Sequence, residues 1–219
     1  TISVGSNPYS VAITPNGLYA YVPNIGSNNV SVINTSTNTV VATINVGSAP
    51  IAVAVTPNGL YAYVVNYAAN TVSVINTSTN TVADTISVGT GPYAIAITPN
   101  GLYAYVVNSG SNTVSVINTS TNTVVATISV GSSPNGIAIT PNGLYAYVVG
   151  GANTVSVINT STNTVVATIN VPLNPFAVAI TPNGLYAYVV GFGSNNVSVI
   201  NTSTNTVVAT ITVGAQPDA

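Results

Sequence analysis

Few side chains in this sequence could take part in acid–base, nucleophilic or metal-binding chemistry. Its 219 residues include no Lys, Arg, His, Cys, Met or Trp, and the acids are Asp84 and Asp218. Without imidazole, thiol or amine groups, nucleophile–base pairs, zinc sites and Schiff bases lose their usual residues. We therefore expect a protein that is not an enzyme and that has no catalytic residue, no cofactor and no metal site.

The two carboxylates do not form a convincing site either. Asp84 stands where the other repeat units carry Ala, and Asp218 lies near the C-terminus. A calcium site takes several oxygen ligands, usually including more than one carboxylate. Nucleic acid is excluded as a partner, because no basic side chain is present to neutralise phosphates.

The near-absence of charge has consequences for stability and location. Charged residues make up 1% of the chain, against about 25% in an ordinary soluble domain. With so few titratable groups, stability should change little between strongly acidic and neutral pH. A net charge of −2 gives little repulsion between molecules, which suits an acidic habitat, a glycan coat or a permanent assembly. We expect an extracellular or cell-surface location, and no apolar run is long enough for a membrane-spanning helix.

An internal repeat organises the whole chain. The tetrapeptide Thr-Pro-Asn-Gly recurs at offsets of 42, 42, 42 and 41 residues, beginning at Thr14, Thr56, Thr98, Thr140 and Thr181. The heptapeptide Ile-Asn-Thr-Ser-Thr-Asn-Thr follows it in every unit. Five units therefore form a single domain, with approximate bounds 5–46, 47–88, 89–130, 131–171 and 172–213.

In each unit, turn residues separate four short segments that we predict to be strands. In the first unit these are predicted at Val11–Thr14, Leu18–Val22, Val30–Ile33 and about Thr39–Val46. Thr-Pro-Asn-Gly is a turn signal, because Pro presets φ and Asn-Gly tolerates left-handed backbone. Four antiparallel strands in about 42 residues match one propeller blade of roughly 40–45 residues. The sequence thus predicts an all-β fold, a β-propeller of five four-stranded blades.

The two ends of the repeat array do not match a simple closed ring. Residues 1–4 repeat the end of a fourth strand, so we predict an extra strand there from a preceding unit, and residues 214–219 form a tail. Because Ile211–Val213 supplies another such strand, one of the two is surplus to a closed five-bladed ring. Either the chain is part of a longer array, or the spare strand pairs with a neighbouring molecule and builds a filament.

The unit resembles the YVTN β-propeller repeat of archaeal and bacterial surface-layer and other secreted proteins. The resemblance covers all five units and rests on Thr-Pro-Asn-Gly-Leu-Tyr-Ala-Tyr-Val and Asn-Thr-Val-Ser-Val-Ile-Asn-Thr-Ser-Thr-Asn-Thr. The name-giving tetrapeptide varies, reading Tyr21-Val-Pro-Asn24 in the first unit and ending in Gly150 and Gly191 in the last two. Members of this family usually carry charged residues where this chain has Asn16, Leu18 and Asn34, so any charged family site is in doubt.

Two sets of residues are candidate sites. Sequons for N-glycosylation, which also fit plain turn chemistry, occur at Asn29, Asn34, Asn76, Asn118, Asn159, Asn196 and Asn201. The loops after the second strands vary most between units, and two of them begin with the aromatic residues Tyr67 and Phe192. Variable loops on a rigid scaffold are typical recognition sites. The paired tyrosines of each Tyr-Ala-Tyr segment we interpret as packing between blades rather than as sugar platforms.

The functional interpretation at this point is a non-enzymatic structural protein of a microbial surface layer or fibre. Its uncharged Thr/Ser/Asn surface would pack against further copies or against other surface proteins. The alternatives are an adhesin or lectin-like module that binds glycans through the rim loops, and an engineered propeller scaffold. An engineered scaffold would normally keep surface charge.

Overall fold

The structure, a computed structural model, describes residues 1–217. Each repeat unit forms a four-stranded antiparallel sheet whose strands lie side by side in chain order. The prediction of an all-β propeller with five four-stranded blades is confirmed. Residues 1–217 contain no α-helix, and no helix there could cross a membrane.

The strands have nearly the same bounds in each blade. Blade 1 comprises β1 (Ala12–Ile13), β2 (Tyr19–Asn24), β3 (Asn29–Asn34) and β4 (Thr39–Asn45), with a 3₁₀ turn at Ile25–Ser27. Blade 2 comprises β5 (Pro50–Val55), β6 (Tyr61–Asn66), β7 (Thr71–Asn76) and β8 (Thr81–Ser87). Blade 3 comprises β9 (Pro92–Ile97), β10 (Tyr103–Asn108), β11 (Thr113–Asn118) and β12 (Thr123–Ser129). Blade 4 comprises β13 (Pro134–Ile139), β14 (Tyr145–Gly150), β15 (Thr154–Asn159) and β16 (Thr164–Asn170). Blade 5 comprises β17 (Pro175–Ile180), β18 (Tyr186–Gly191), β19 (Asn196–Asn201) and β20 (Thr206–Thr212).

Asparagine side chains hold both tight turns of each blade. In the first turn of blade 1, Asn16 Oδ1 accepts hydrogen bonds from Thr14 Oγ1 at 2.7 Å and from the Leu18 amide at 3.0 Å. Gly17 follows at φ 73°, where a residue without a side chain is preferred. In the turn between β3 and β4, Asn34 Oδ1 accepts bonds from the Ser36 amide at 2.9 Å and the Ser36 hydroxyl at 2.7 Å. Local bonding of this kind explains why the repeated peptides mark the turns.

Consecutive blades pack through two different faces. The trailing face of blade 1 presents Tyr21 and Ile44, and it contacts the leading face of blade 2, which presents Ala62 and Val64. Tyr21 is fully buried, and its hydroxyl donates to Asn80 Oδ1 of the next blade at 3.0 Å. The interpretation of these tyrosines as packing residues is therefore correct for this position.

The same interface recurs at the other three junctions. The buried tyrosine of each blade donates to an asparagine of the next, in the pairs Tyr63–Asn122 at 2.7 Å, Tyr105–Asn163 at 2.7 Å and Tyr147–Asn205 at 2.6 Å. The first strands of consecutive blades contact one another more extensively than the fourth strands do. The first strands therefore surround the central channel, and the fourth strands form the periphery.

The extra strand predicted at residues 1–4 is not present, because these residues belong to no sheet. Their counterparts in blade 1, Thr43 and Ile44, pair with Ser31 and Val30 of the third strand in the same blade. Residues 1–4 have no such third strand beside them, since the sheet that follows begins at β1. A β-type sequence alone does not make a strand without a partner.

Candidate functional site

Aromatic side chains gather at one end of the central channel. In blades 2 to 5 the first strand begins at a proline that pairs with the last residue of the second strand, as Pro50 pairs with Asn66, and in blade 1 Pro8 makes the equivalent bridge to Asn24 ahead of β1. The residue after this proline is aromatic in blades 1, 3 and 5, as Tyr9, Tyr93 and Phe176. The loops after the second strands start at this same end, which we call the channel mouth.

Tyr93 is the centre of the aromatic cluster. Its ring packs edge-on against Tyr9 of blade 1 at a centroid distance of 6.4 Å and against Phe176 of blade 5 at 6.4 Å. Tyr67, from the loop after β6, contacts Tyr93 at 6.3 Å in the same way. Phe192, from the loop after β18, lies 6.3 Å from Phe176 with the two rings inclined at 44°. Edge-on contacts at these distances are favourable aromatic geometry.

The cluster has a polar connection at its centre and exposed rings at its edge. The hydroxyls of Tyr9 and Tyr93 share a hydrogen bond of 2.6 Å. Burial, together with this bond, raises the pKa of Tyr93 above its ordinary value. Tyr9 is 53% exposed and Tyr67 is 45% exposed. Large exposed rings beside hydroxyl groups can hold an apolar ring face and also hydrogen-bond its substituents.

Sequence reasoning found the two loop residues of this cluster and missed the other three. The structure brings Tyr67 and Phe192 into one cluster, in which Tyr67 contacts Tyr93, Tyr93 contacts Phe176 and Phe176 contacts Phe192. A signal for the other three was present in the sequence. Tyr9, Tyr93 and Phe176 each follow a proline that recurs in every unit, and units 2 and 4 have Ile51 and Asn135 at this position. Recognition through Tyr67 and Phe192 stays a prediction.

The predicted glycosylation sites lie at both ends of the third strands. Their asparagines are all half-buried, and five of them end the third strands, at Asn34, Asn76, Asn118, Asn159 and Asn201. The other two begin third strands at the mouth end, and their Oδ1 atoms accept bonds, Asn29 from Asn24 Nδ2 and Asn196 from the Ser194 hydroxyl. Glycosylation of any of the seven stays a prediction.

Clefts at the opposite end of the blades arise from the repeat itself. Three equivalent clefts of about 360, 510 and 270 Å³ lie between consecutive blades from blade 2 to blade 5. Each is lined by a Thr-Pro-Asn-Gly turn, a tyrosine and the turn of the next blade, as Tyr61 and Asn100 line the first. Because the same turns line each one, they are a product of blade packing rather than a specialised site.

Asp84, the acid among the described residues, lies on a peripheral strand and not among the aromatic residues of the channel mouth. Asp84 lies on β8, the fourth strand of blade 2, and its Oδ1 accepts a bond from the Thr85 amide at 2.7 Å. Asp218 lies outside the described residues. Among residues 1–217, no three His, Cys, Asp or Glu side chains lie close enough together to hold a metal ion.

Comparison with known proteins assigns the family. The profile of "Lactonase, 7-bladed beta-propeller" matches the chain over residues 3–164 and 82–215. The chain belongs to this lactonase propeller family. Among curated proteins, no sequence matches it.

Solved structures agree on the fold. A chain of "Kuenenia stuttgartiensis Hydrazine Synthase" superposes with a TM-score of 0.75 at 20% identity, covering 99% of this chain and 90% of that one. A functionally unknown protein from Desulfotomaculum acetoxidans DSM 771 superposes with a TM-score of 0.78 at 22% identity, covering 96% of this chain and 76% of that one. At these identities the likeness concerns the propeller fold alone.

The family corrects the functional interpretation of the sequence. The prediction of a structural protein of a surface layer or fibre is wrong, because the chain belongs to a propeller family named for a hydrolytic enzyme. The resemblance to YVTN repeats is confirmed only at the level of a β-propeller repeat protein. Membership of this family also weighs weakly against the prediction that the protein is not an enzyme.

Proposed function

We propose that this lactonase-family propeller binds a small neutral ring compound, a lactone or the corresponding sugar, at the channel mouth. The observation that carries the proposal is the convergence of Tyr9, Tyr93 and Phe176 from three blades, with Tyr67 and Phe192 beside them. A rigid scaffold that presents aromatic faces and hydroxyls in one place is typical of a small-molecule site.

The chemistry of the mouth favours an uncharged ligand. The segments that lead into the first strands carry the polar residues Ser48, Ser132 and Ser133, and in blade 4 Asn135 takes the position after the proline that is aromatic in blades 1, 3 and 5. The chain has no Lys, Arg or His that could pair with a phosphate or carboxylate of a ligand. A charged ligand would lose its hydration without an opposite charge in return, whereas a hydroxylated ring exchanges water for hydroxyl and amide partners.

We further propose that binding takes place without hydrolysis. Opening a lactone needs a general base or a metal-activated water. In the described part of the chain the acid is Asp84, on a peripheral strand, while the aromatic cluster lies on the central strands. Tyr93 is a neutral phenol that shares a hydrogen bond with Tyr9, and its raised pKa makes it a poor source of the phenolate that could act as a base.

The YVTN type of the repeat and an extracellular location remain part of this proposal. The supporting features are the Thr-Pro-Asn-Gly-Leu-Tyr-Ala-Tyr-Val units and a charged fraction of 1%. A chain with so little charge has low colloidal stability on its own, and glycans on the predicted sequons would improve it.

A titration of gluconolactone and of glucose into the protein, followed by calorimetry, tests the proposal. We expect weak saturable binding of at least one of them, with a dissociation constant of about 1 mM, equivalent to about 4 kcal/mol. Tyr9→Ala and Tyr67→Ala should each weaken binding up to about tenfold, since an aromatic contact contributes about 0.5–1.5 kcal/mol. The rate of lactone opening should equal the rate in buffer.

Tyr188→Ala is the matched control, because Tyr188 is an exposed tyrosine away from the mouth. Its binding curve should overlay that of the parent chain. Equal loss of binding in all three variants would place the ligand elsewhere. Lactone opening faster than in buffer, reduced by Asp84→Asn, would contradict the proposal of binding without hydrolysis.

A further inference from the structure

The first strands of blades 2 to 5 each contain an extra residue directly after the opening proline. In blade 2, Pro50 pairs with Asn66 at the end of the second strand. The next pair joins Ala52 to Val65, so Ile51 between them pairs with no residue of the second strand. The corresponding residues of blades 3, 4 and 5 are Tyr93, Asn135 and Phe176. Such an extra residue forms a β-bulge, which changes the direction of its side chain relative to the rest of the strand.

These bulges bring one side chain from each blade to the channel mouth. In blade 1 the equivalent residue is Tyr9, which follows the bridge from Pro8 to Asn24. The rings from blades 1, 3 and 5 meet there, since Tyr93 contacts both Tyr9 and Phe176. We call the five equivalent residues the mouth positions, and they are Tyr9, Ile51, Tyr93, Asn135 and Phe176. Because their backbone geometry repeats, the chemistry of the mouth depends on which side chain occupies each position.

Asn135 is the amide among the mouth positions. Strand β13 packs against β9 on one side and β17 on the other, so Asn135 lies between the mouth positions of Tyr93 and Phe176. Gly136 allows a close approach to blade 5, because a Cβ there would lie 2.8 Å from the carbonyl oxygen of Phe176. Blades 2, 3 and 5 have alanine at this place. The mouth therefore presents an amide next to two aromatic positions.

The carboxamide of Asn135 is held by its own segment. In the orientation that satisfies its hydrogen bonds, Nδ2 donates to the carbonyl oxygens of Ser133 at 3.2 Å and Pro134 at 3.3 Å. These bonds use the donor end of the amide, and the acceptor end, Oδ1, suits a group that donates a hydrogen bond. A ring hydroxyl is such a group, whereas the two oxygens of a plain lactone can only accept.

Building on the proposed function, we propose that Asn135 determines the specificity of the channel mouth by accepting a hydrogen bond from a ring hydroxyl of the ligand. The ligand class that fits is a polyhydroxylated ring, a sugar or a sugar lactone. The aromatic rings of Tyr9 and Tyr93 can pack on the face of a ring with or without hydroxyl groups. Asn135 distinguishes the two, because a ring without hydroxyl groups takes water from Oδ1 and returns no hydrogen bond.

Substitutions at Asn135 test this role. Other mouth positions hold Ile, Tyr and Phe, so Asn135→Ala and Asn135→Phe are expected to fold, which thermal melting checks. NMR titrations measure the dissociation constants of glucose and of δ-valerolactone, a lactone of equal ring size without hydroxyl groups. Asn135→Ala should weaken glucose binding about fivefold, the effect of one hydrogen bond between neutral groups, and leave δ-valerolactone binding unchanged. Asn135→Phe should weaken glucose binding to a similar extent and strengthen δ-valerolactone binding.

Asn170→Ala is the matched control, because Asn170 is an exposed asparagine at the end of the peripheral strand of the same blade. Its dissociation constants should equal those of the parent chain. Glucose binding that Tyr9→Ala weakens and Asn135→Ala leaves unchanged would overturn this inference and leave the proposed function standing. An equal loss of both ligands in Asn135→Ala would do the same. If neither glucose nor gluconolactone bound the parent chain, the proposed function would fail and this inference with it.

Discussion

Tyr105→Ala is expected to lower the free energy of unfolding by about 3–5 kcal/mol, the cost of removing a large buried aromatic side chain. Tyr105 is fully buried between blades 3 and 4, and its hydroxyl donates to Asn163 Oδ1 at 2.7 Å. Removing the ring creates a cavity in the interface and leaves the Asn163 carbonyl without this donor. Urea unfolding followed by circular dichroism measures the change.

Tyr188→Ala is the control for this prediction, since it is the same substitution at the equivalent position of blade 5. There the ring is 38% exposed and has no next blade to contact among the described residues. The expected cost is at most about 1 kcal/mol, as for a partly exposed residue. Equal costs for the two substitutions would mean that the face of blade 5 is covered in solution, and a small cost at Tyr105 would contradict the account of blade packing.

Alkaline solution is expected to unfold the protein between about pH 10 and pH 12, while acid leaves it folded. Burial raises the pKa of Tyr21, Tyr63, Tyr105 and Tyr147 from 10.0 to about 12, with a smaller contribution from the neighbouring tyrosine of each pair. These groups are neutral in the folded state, and in the unfolded chain they lose their protons near pH 10. Their contribution to stability is therefore complete below about pH 10 and is lost as the pH rises to about 12.

Melting temperatures measured from pH 2 to pH 12 test this prediction. The curve should be nearly flat from pH 2 to pH 7, because few groups titrate there, and should fall steeply above pH 10. Replacing one buried tyrosine by Phe, as in Tyr63→Phe, should make the alkaline fall shallower, since it removes one of the phenols whose pKa burial raises. A steep fall between pH 7 and pH 2 would contradict the link between low charge and pH-independent stability.

The fold could be predicted from the sequence because the local signals repeat without conflict. Thr-Pro-Asn-Gly marks the turn after every first strand. Asn34 and its equivalents stabilise the turn before the fourth strand by accepting hydrogen bonds with their side chains. The four short apolar segments between these turns then predict a four-stranded antiparallel blade in each unit. The extra strand at residues 1–4 failed for a physical reason: strand formation depends on a neighbour, which a local sequence does not report.

The candidate site could be predicted only in part, because its residues meet across the channel. Tyr9 and Phe176 are 167 residues apart in sequence, yet both contact Tyr93. The change from Asn66 to Gly150 in the name-giving tetrapeptide is also explained only by the structure. A Cβ at Gly150 would lie 2.6 Å from the Cα of Pro134, so blade 4 has no room for a side chain there.

Placement of the ligand at the channel mouth is the central claim, and ¹⁹F NMR of protein labelled with 3-fluorotyrosine tests it most directly. During titration with gluconolactone or glucose, the signals of Tyr9, Tyr67 and Tyr93 should shift together and saturate. The signals of Tyr61, Tyr103 and Tyr145, which line the three clefts at the opposite end, should stay in place. Shifts confined to those three tyrosines, or no shift for any tyrosine at tens of millimolar ligand, would contradict the claim.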